Sequence, residues 1–203
     1  MMNYLTPFLV GFAVLTVMST LLLIAAVIDY RSRRIPNALV FPGALIALLL
    51  NVLLPEGNGF ASTLPGGVGI GRALLGMGIG LAAFLPFYLV RAMGAGDVKL
   101  MAMAGAFLGP AGAIEGALFA FVAGGVISVA YLLRKRALRG GLQGAFARFA
   151  PARFKPANTD ALQAPPERRL PFAAAVAAGV IAYAFLSLNG LLSQAQILPS
   201  FQV

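Results

Sequence analysis

Two stretches of this 203-residue chain carry side chains that could do chemistry: IDYRSRRIPN (28–37) and RAMGAGDVKL (91–100). Each sets an aspartate, Asp29 or Asp97, at the edge of a long apolar run. A carboxylate at the mouth of a bilayer span is costly to keep, which makes it by default a functional candidate. Of the six acids in the chain, Glu56 and Asp160 fall in loops, Glu167 in a basic segment and Glu115 toward the outer end of an apolar helix. Asp29 and Asp97 alone are expected to meet at one membrane boundary. Two carboxylates close together do not both ionise easily; they share a proton and serve as paired general base and general acid on a water. That is the chemistry of aspartyl peptide hydrolysis. With no histidine and no cysteine in the sequence, nucleophile–imidazole constellations and the commonest metal ligands are missing, and neither metal nor cofactor is expected.

The elements that must position this pair follow from composition. Sixty per cent of the residues are hydrophobic and ten per cent charged, with a mean hydropathy of +0.91, whereas a soluble domain is roughly a quarter charged. An all-α integral membrane protein is implied. Apolar runs at about 7–28, 37–54, 71–91, 98–109, 112–133 and 171–190 predict a bundle of six transmembrane helices forming a single membrane-embedded domain over 1–203. Residues 1–28 hold no Lys, Arg, Asp or Glu, so the first run lacks the charged flank of a signal peptide and reads as a retained helix.

Basic residues set the expected topology. Arg31, Arg33 and Arg34 follow the first helix, Arg91 and Lys99 flank the GAGD turn, and nine more lie from Arg134 to Arg169. Fourteen of the fifteen thus fall on alternate loops, with Arg72 the exception. Positive loops mark the cytoplasmic side, which places both aspartates inside and both termini outside. The formal charge of +9 is topogenic on this reading, and no nucleic-acid partner is implied.

The interval from Val98 to Leu133 has both ends inside and must cross twice. Its 36 residues span ~54 Å as helix, against ~60 Å for two crossings of a ~30 Å core. The fourth helix is therefore expected to be short, turning at Gly109-Pro110, with Asp97 recessed below the membrane surface. Non-helical backbone at that depth needs cover from protein or a watery cavity. The glycines of GAG suit this through close approach and unusual dihedrals.

Asp29, five residues, then Ile35-Pro36-Asn37, followed by Gly94-Ala95-Gly96-Asp97-Val98-Lys99-Leu100, resembles the two-aspartate signature of the type IV prepilin peptidases, membrane aspartyl proteases of the GxGD type. The late RRLPFAAAVAAG (168–179) is similar to that family's last helix. The resemblance implies cleavage of the cytoplasmic leader of type IV prepilins or pseudopilins, with Asp29 and Asp97 as the catalytic pair and Gly94, Gly96, Lys99, Ile35, Pro36 and Asn37 as supporting motif residues. Larger members carry a cytoplasmic insertion with paired CxxC motifs and also methylate the new N-terminus. Here only DYRSRRIPN stands where that insertion would be, so the chain resembles the short, peptidase-only form associated with tight-adherence (Flp) pili.

Other features admit two readings each. Lys99 either orients substrate and tunes Asp97, or anchors a helix mouth at the interface. Arg31, Arg33 and Arg34 read chiefly as anchors. The segment GLQGAFARFAPARFKP (141–156) is either a surface-lying amphipathic helix on anionic lipid or a Pro-interrupted linker within a long cytoplasmic loop, 134–170. Glycines such as Gly76, Gly78, Gly80, Gly124 and Gly125 read as helix-packing contacts. Helix dipoles, from Asp29 closing one helix and Asp97 opening another, favour Asp97 as base and Asp29 as acid. The competing class is a small proton-coupled transporter with the two aspartates as relay carboxylates; against it, both lie at one face rather than near the midplane.

The topology is testable because the chain has no native cysteine. Ser32→Cys and Thr159→Cys should resist an impermeant thiol reagent in intact cells, and Ser62→Cys should react; external labelling at position 32 would invert the orientation.

Overall fold

The computed structural model describes residues 2–55, 57, 66–134 and 172–197, and these form five α-helices: α1 (Met2–Ser32), α2 (Asn37–Leu53), α3 (Gly69–Leu89), α4 (Ala95–Arg134) and α5 (Phe172–Ile197). Three stretches are long and apolar enough to cross a membrane, Leu9–Ser32, Gly69–Leu89 and Ala95–Ala130; Asn37–Leu53 and Phe172–Ser187 are shorter apolar helices. Among the described residues the elements are all helical, and these long apolar helices are those of a membrane protein. The expected count of six separate spans is not reproduced: the described residues fall into five helical elements, the fourth of which holds two helices that meet at Gly109. Gly109 alone departs from helical geometry inside α4 (φ 73°, ψ −176°), a left-handed φ that glycine adopts without steric cost. One residue breaks the helix into two limbs, 95–108 and 110–134, with no intervening loop. The chain divides into two compact units, Met1–Gly124 with Pro171–Val203, and Gly125–Leu170. The expected cytoplasmic loop, apart from Arg134, the loop around Glu56 and the C-terminal end all lie outside the described residues.

Within the first unit the first limb of α4 is the centre. Residues 100–109 are buried at every position, the pattern of a helix surrounded on all sides. The helices around it expose large apolar side chains instead, among them Leu9, Phe12, Leu23 and Val27 on α1, Leu45 and Leu49 on α2, and Leu75 and Leu81 on α3, as lipid-facing surfaces do. Thr16 and Thr20 satisfy their hydroxyls within α1, donating to Phe12 O and Thr16 O at 2.8 Å each, so neither needs water.

Close packing on the central limb depends on small residues. α3 buries Ala73, Gly76, Gly80 and Phe84, one helical stripe. A Cβ on Gly76 would run into Gly105 O and lie 2.7 Å from the Gly109 carbonyl carbon, and one on Gly80 would lie 3.1 Å from the Met101 carbonyl carbon. α2 sets Gly43 against the Met103 side chain, whose Sδ an added Cβ would run into. The second limb folds back along the first, with Ala113 Cβ 3.3 Å from where a Gly105 Cβ would stand. α5 approaches the second limb through Gly179, whose Cβ would meet the Ala120 backbone, and also packs along α1.

Among the described residues the buried polar side chains are Asn51 and Asp97. Asn51 is a structural hub: its Nδ2 donates to Ala47 O at 2.9 Å and to Ala106 O at 3.0 Å, and its Oδ1 accepts from Val68 N–H at 3.0 Å. It ties α2 both to the central limb and to the chain entering α3. Beside it, Gly67 N–H donates to Pro55 O and Gly57 N–H to Gly67 O, both at 2.8 Å.

The glycine packing predicts a contrast between two neighbours on α3. Gly76→Ala should destabilise the protein by about 1–3 kcal/mol, because the methyl meets backbone that does not yield. Gly78→Ala, with nothing within 4 Å of the added carbon, should be neutral or stabilising by up to about 1 kcal/mol through helix propensity. Unfolding of the two variants in detergent checks the difference, and equal effects would remove the packing explanation.

Candidate active site

Both aspartates stand at helix ends. α1 runs one turn past Asp29, because DYRS continues the helix: Ser32 Oγ donates to Ile28 O at 2.9 Å and to Arg34 O at 3.1 Å. Asp29 thus lies inside the last turn and not, as expected, at its end. The Arg33 N–H closes the helix on Asp29 O at 2.8 Å, with Arg33 itself left-handed at φ 54°. Pro36, extended at φ −70° and ψ 136°, is the N-cap of α2, and Leu39 N–H donates to its carbonyl at 3.0 Å. Three residues therefore suffice to turn the chain from α1 into α2.

α3, like α1, ends on a left-handed arginine. Arg91 is left-handed at φ 60° and its N–H donates to Tyr88 O at 2.9 Å, while Ala92 N–H reaches back to Phe87 O at 2.8 Å. This is a Schellman cap with arginine in the place usually held by glycine. Among the described residues Arg33 and Arg91 are the non-glycine residues with positive φ, and both stand beside the aspartate-bearing helix ends.

Asp97 is the third residue of α4. Its Oδ2 accepts from the Gly94 N–H at 3.2 Å, and its own N–H donates to Gly94 O at 3.2 Å. The carboxylate reaching back over the first turn is one half of a capping box. Asp97 is 7 % exposed, recessed as its place at the foot of the buried limb requires. Asp29 is half-buried and close enough for its charge to bear on Asp97. The two acids that the sequence singles out are therefore neighbours.

The motif residues link them. A Cβ on Gly96 would lie 3.1 Å from Ile35 Cβ and 3.2 Å from Ile35 Cδ1, so Gly96 is glycine because the α1–α2 turn rests on it. Of the GAG glycines Gly96 serves close approach; unusual dihedrals, the other expectation, are not used, since the positive-φ glycines among the described residues are Gly69 and Gly109. Lys99 Nζ donates to Asn37 Oδ1 at 3.0 Å and sits 5.6 Å from the centre of the Phe41 ring. Lys99 thus joins the first turn of α4 to the first turn of α2, a strut that neither sequence reading of it anticipated.

Sequence reasoning missed two contributors. Ala173, near the start of α5, donates its backbone N–H to the Asp29 carboxylate, and Arg33 lies within electrostatic reach of the same group. Leu170-Pro171 before an apolar run signals a helix start with free N–H groups, but not what they face. Asn51 is the other, a polar residue inside ALLLNVLL. Glu115 stays apart from the pair: it is exposed on the second limb of α4, where the Tyr183 hydroxyl donates to it.

The sequence profile described as the type IV leader peptidase family matches residues 15–129, more than half of the chain and inclusive of every residue of both motifs. No curated protein and no solved structure matches the chain.

The strut is open to a double-mutant cycle. Lys99→Met and Asn37→Leu should each lower stability, and the double variant should lose less than the sum, with a coupling of about 0.5–1 kcal/mol for this solvent-accessible bond. Additive losses would show the two side chains to be independent.

Proposed function

The chain belongs to the type IV leader peptidase family, and from that premise we propose that it is an aspartic endopeptidase cleaving the cytoplasmic leader of type IV, Flp-like prepilins, with Asp29 and Asp97 as the catalytic pair. The observation that carries the reading is the convergence of Asp97, buried at the foot of the central limb, with Asp29 on the last turn of α1. Two carboxyl groups with one proton between them supply both halves of peptide hydrolysis. The carboxylate, assigned to Asp97 at a helix start, takes a proton from water as the oxygen attacks the scissile carbonyl. The protonated partner, Asp29, gives its proton toward the carbonyl oxygen, and the amine leaves after protonation by the pair.

The same reading sets the frame around the site. The two limbs of α4, folded back on each other at Gly109, are separate crossings, which brings the helical segments to six in a bacterial inner membrane. Charge distribution supports an inward-facing site and outward termini. Residues 1–203 act as one membrane-embedded peptidase domain, and the substrate's own apolar helix lies in the bilayer beside it. Methyl transfer has no place in this activity, since the α1–α2 connection has three residues between Ser32 and Pro36. The transporter alternative draws no support from the family match.

Asp29→Asn and Asp97→Asn should each abolish leader removal from a co-expressed prepilin while the protein still accumulates in the membrane, because the amide keeps the shape and loses the exchangeable proton. Mass spectrometry of the wild-type product, made in a host without another prepilin methyltransferase, should show the leader-sized loss and an unmethylated N-terminus. Substantial turnover by either variant would take that residue out of the mechanism.

A further inference from the structure

The turn between α1 and α2 touches the start of α4 at two points, one on either side of Asp97. Ile35 rests on Gly96, where an added Cβ would stand 3.1 Å from Ile35 Cβ. Lys99 Nζ donates to Asn37 Oδ1 at 3.0 Å and lies 5.6 Å from the centre of the Phe41 ring, so α2 holds the ammonium with an amide and an aromatic face together. One contact would leave the turn free to pivot about it. A second fixes its angle as well as its position.

Back from these points to Asp29 the chain has little slack. The Arg33 N–H closes on Asp29 O at 2.8 Å, and Ser32 Oγ lies 2.9 Å from Ile28 O and 3.1 Å from Arg34 O. Arg33 takes a left-handed φ of 54°, and Pro36, at φ −70°, turns Ile35 away from helical geometry. On the other side Asp97 follows Gly96 directly, and its Oδ2 accepts from the Gly94 N–H at 3.2 Å. A path of short, held steps thus leads from one aspartate to the other through the turn.

A bond between an exposed amide and a half-buried ammonium contributes little to holding a bundle together, and the backbone contacts at Gly76, Gly80 and Gly105 already do that. Its use is geometric. Sharing a proton needs two carboxyls within hydrogen-bond reach, and a misplacement of about 1 Å costs a reaction on the order of a hundredfold. We propose that the α1–α2 turn is the gauge of the pair: Ile35 on Gly96 and Asn37 on Lys99 hold the end of α1 against the start of α4 so that Asp29 and Asp97 share a proton, which makes Ile35, Asn37 and Lys99 positioning residues. The inference rests on the reading of Asp29 and Asp97 as the catalytic pair.

The test uses the purified protein in lipid nanodiscs with a purified Flp-type prepilin as substrate and rates normalised to folded protein. Lys99→Met and Asn37→Leu should each lower kcat about ten- to a hundredfold. KM should stay within about twofold, since both side chains act on the turn and not on the substrate. The double variant should lose no more than the worse single one, and Lys99→Arg, which keeps a donor, should recover most of the loss. Agreement between the two single variants excludes a simple charge effect, because Asn37→Leu removes no charge. A glycine inserted between Arg34 and Ile35 removes no side chain and adds slack; it should lower kcat likewise, and the same insertion between Asn58 and Gly59 should not. Wild-type kcat in Asn37→Leu or in the insertion after Arg34, alongside an inactive Asp29→Asn, would overturn this inference alone. Additive losses would overturn it as well, and so would a rise in KM at unchanged kcat, which would make Lys99 a substrate contact. Cleavage surviving Asp29→Asn would instead strike at the catalytic pair itself.

Discussion

Backbone meets backbone where α3 crosses the first limb of α4, and the site exists because of that contact. Between helices in lipid the hydrophobic effect gives little, since acyl chains are as apolar as leucine; dispersion at short range must do the holding. Gly76 and Gly80 on one side and Gly105 on the other let the main chains approach until an added methyl has no room. α2 comes in over Gly43, and the second limb folds back beside Gly105. The result is a helix buried over residues 100–109, whose lower end therefore has a defined position. Asp97 inherits that position one turn below Met101.

A buried polar group needs a partner or a purpose, and the two such residues described divide the cases. Asn51, 2 % exposed, spends its amide on three backbone groups and stitches α2, the central limb and the chain entering α3 together. Asp97 has one backbone donor on one oxygen and a second acid for a neighbour. The first arrangement is complete in itself, whereas the second sets an acid beside another acid, as the proposed peptidase reading requires. Around it the supporting residues each join two elements: Ile35 rests on Gly96, and Lys99 reaches Asn37. The spacing between aspartate and IPN thereby becomes intelligible, because the short turn must end α1 just after Asp29 and deliver Ile35 and Asn37 onto the start of α4.

Much of this was legible in the sequence. Apolar runs located the helices, with α2 found to within a residue, and the cost of an acid at a span boundary singled out Asp29 and Asp97 from six candidates. Legibility failed where a local signal had two structural outcomes. Gly109-Pro110 promised a turn between two helices, and two helices do meet there, but the sequence did not show that one left-handed glycine suffices for the turn. DYRS looked like the exit from a helix and instead extends it by a turn, with Arg31 exposed while Ser32 bonds backward. The glycines of GAG signalled freedom of dihedral angle as readily as closeness, and only the place of Ile35 decides between them. Contacts between distant segments left no local trace at all: nothing near Ala173 names Asp29, and nothing in ALLLNVLL names Ala106 or Val68.

The bond from α5 to Asp29 also bears on how the molecule comes into being. A membrane helix emerges and inserts in order, so Asp29 enters the bilayer with the first segment and Asp97 some 68 residues later. The amide that meets Asp29 belongs to residue 173, and it does not exist until most of the chain has been translated. From residue 97 until then the nascent protein holds both acids without the helix that packs along α1. Assembly around the pair thus waits on residues far along the chain: a chain broken off before residue 172 carries both motifs intact and still lacks the helix that packs along α1.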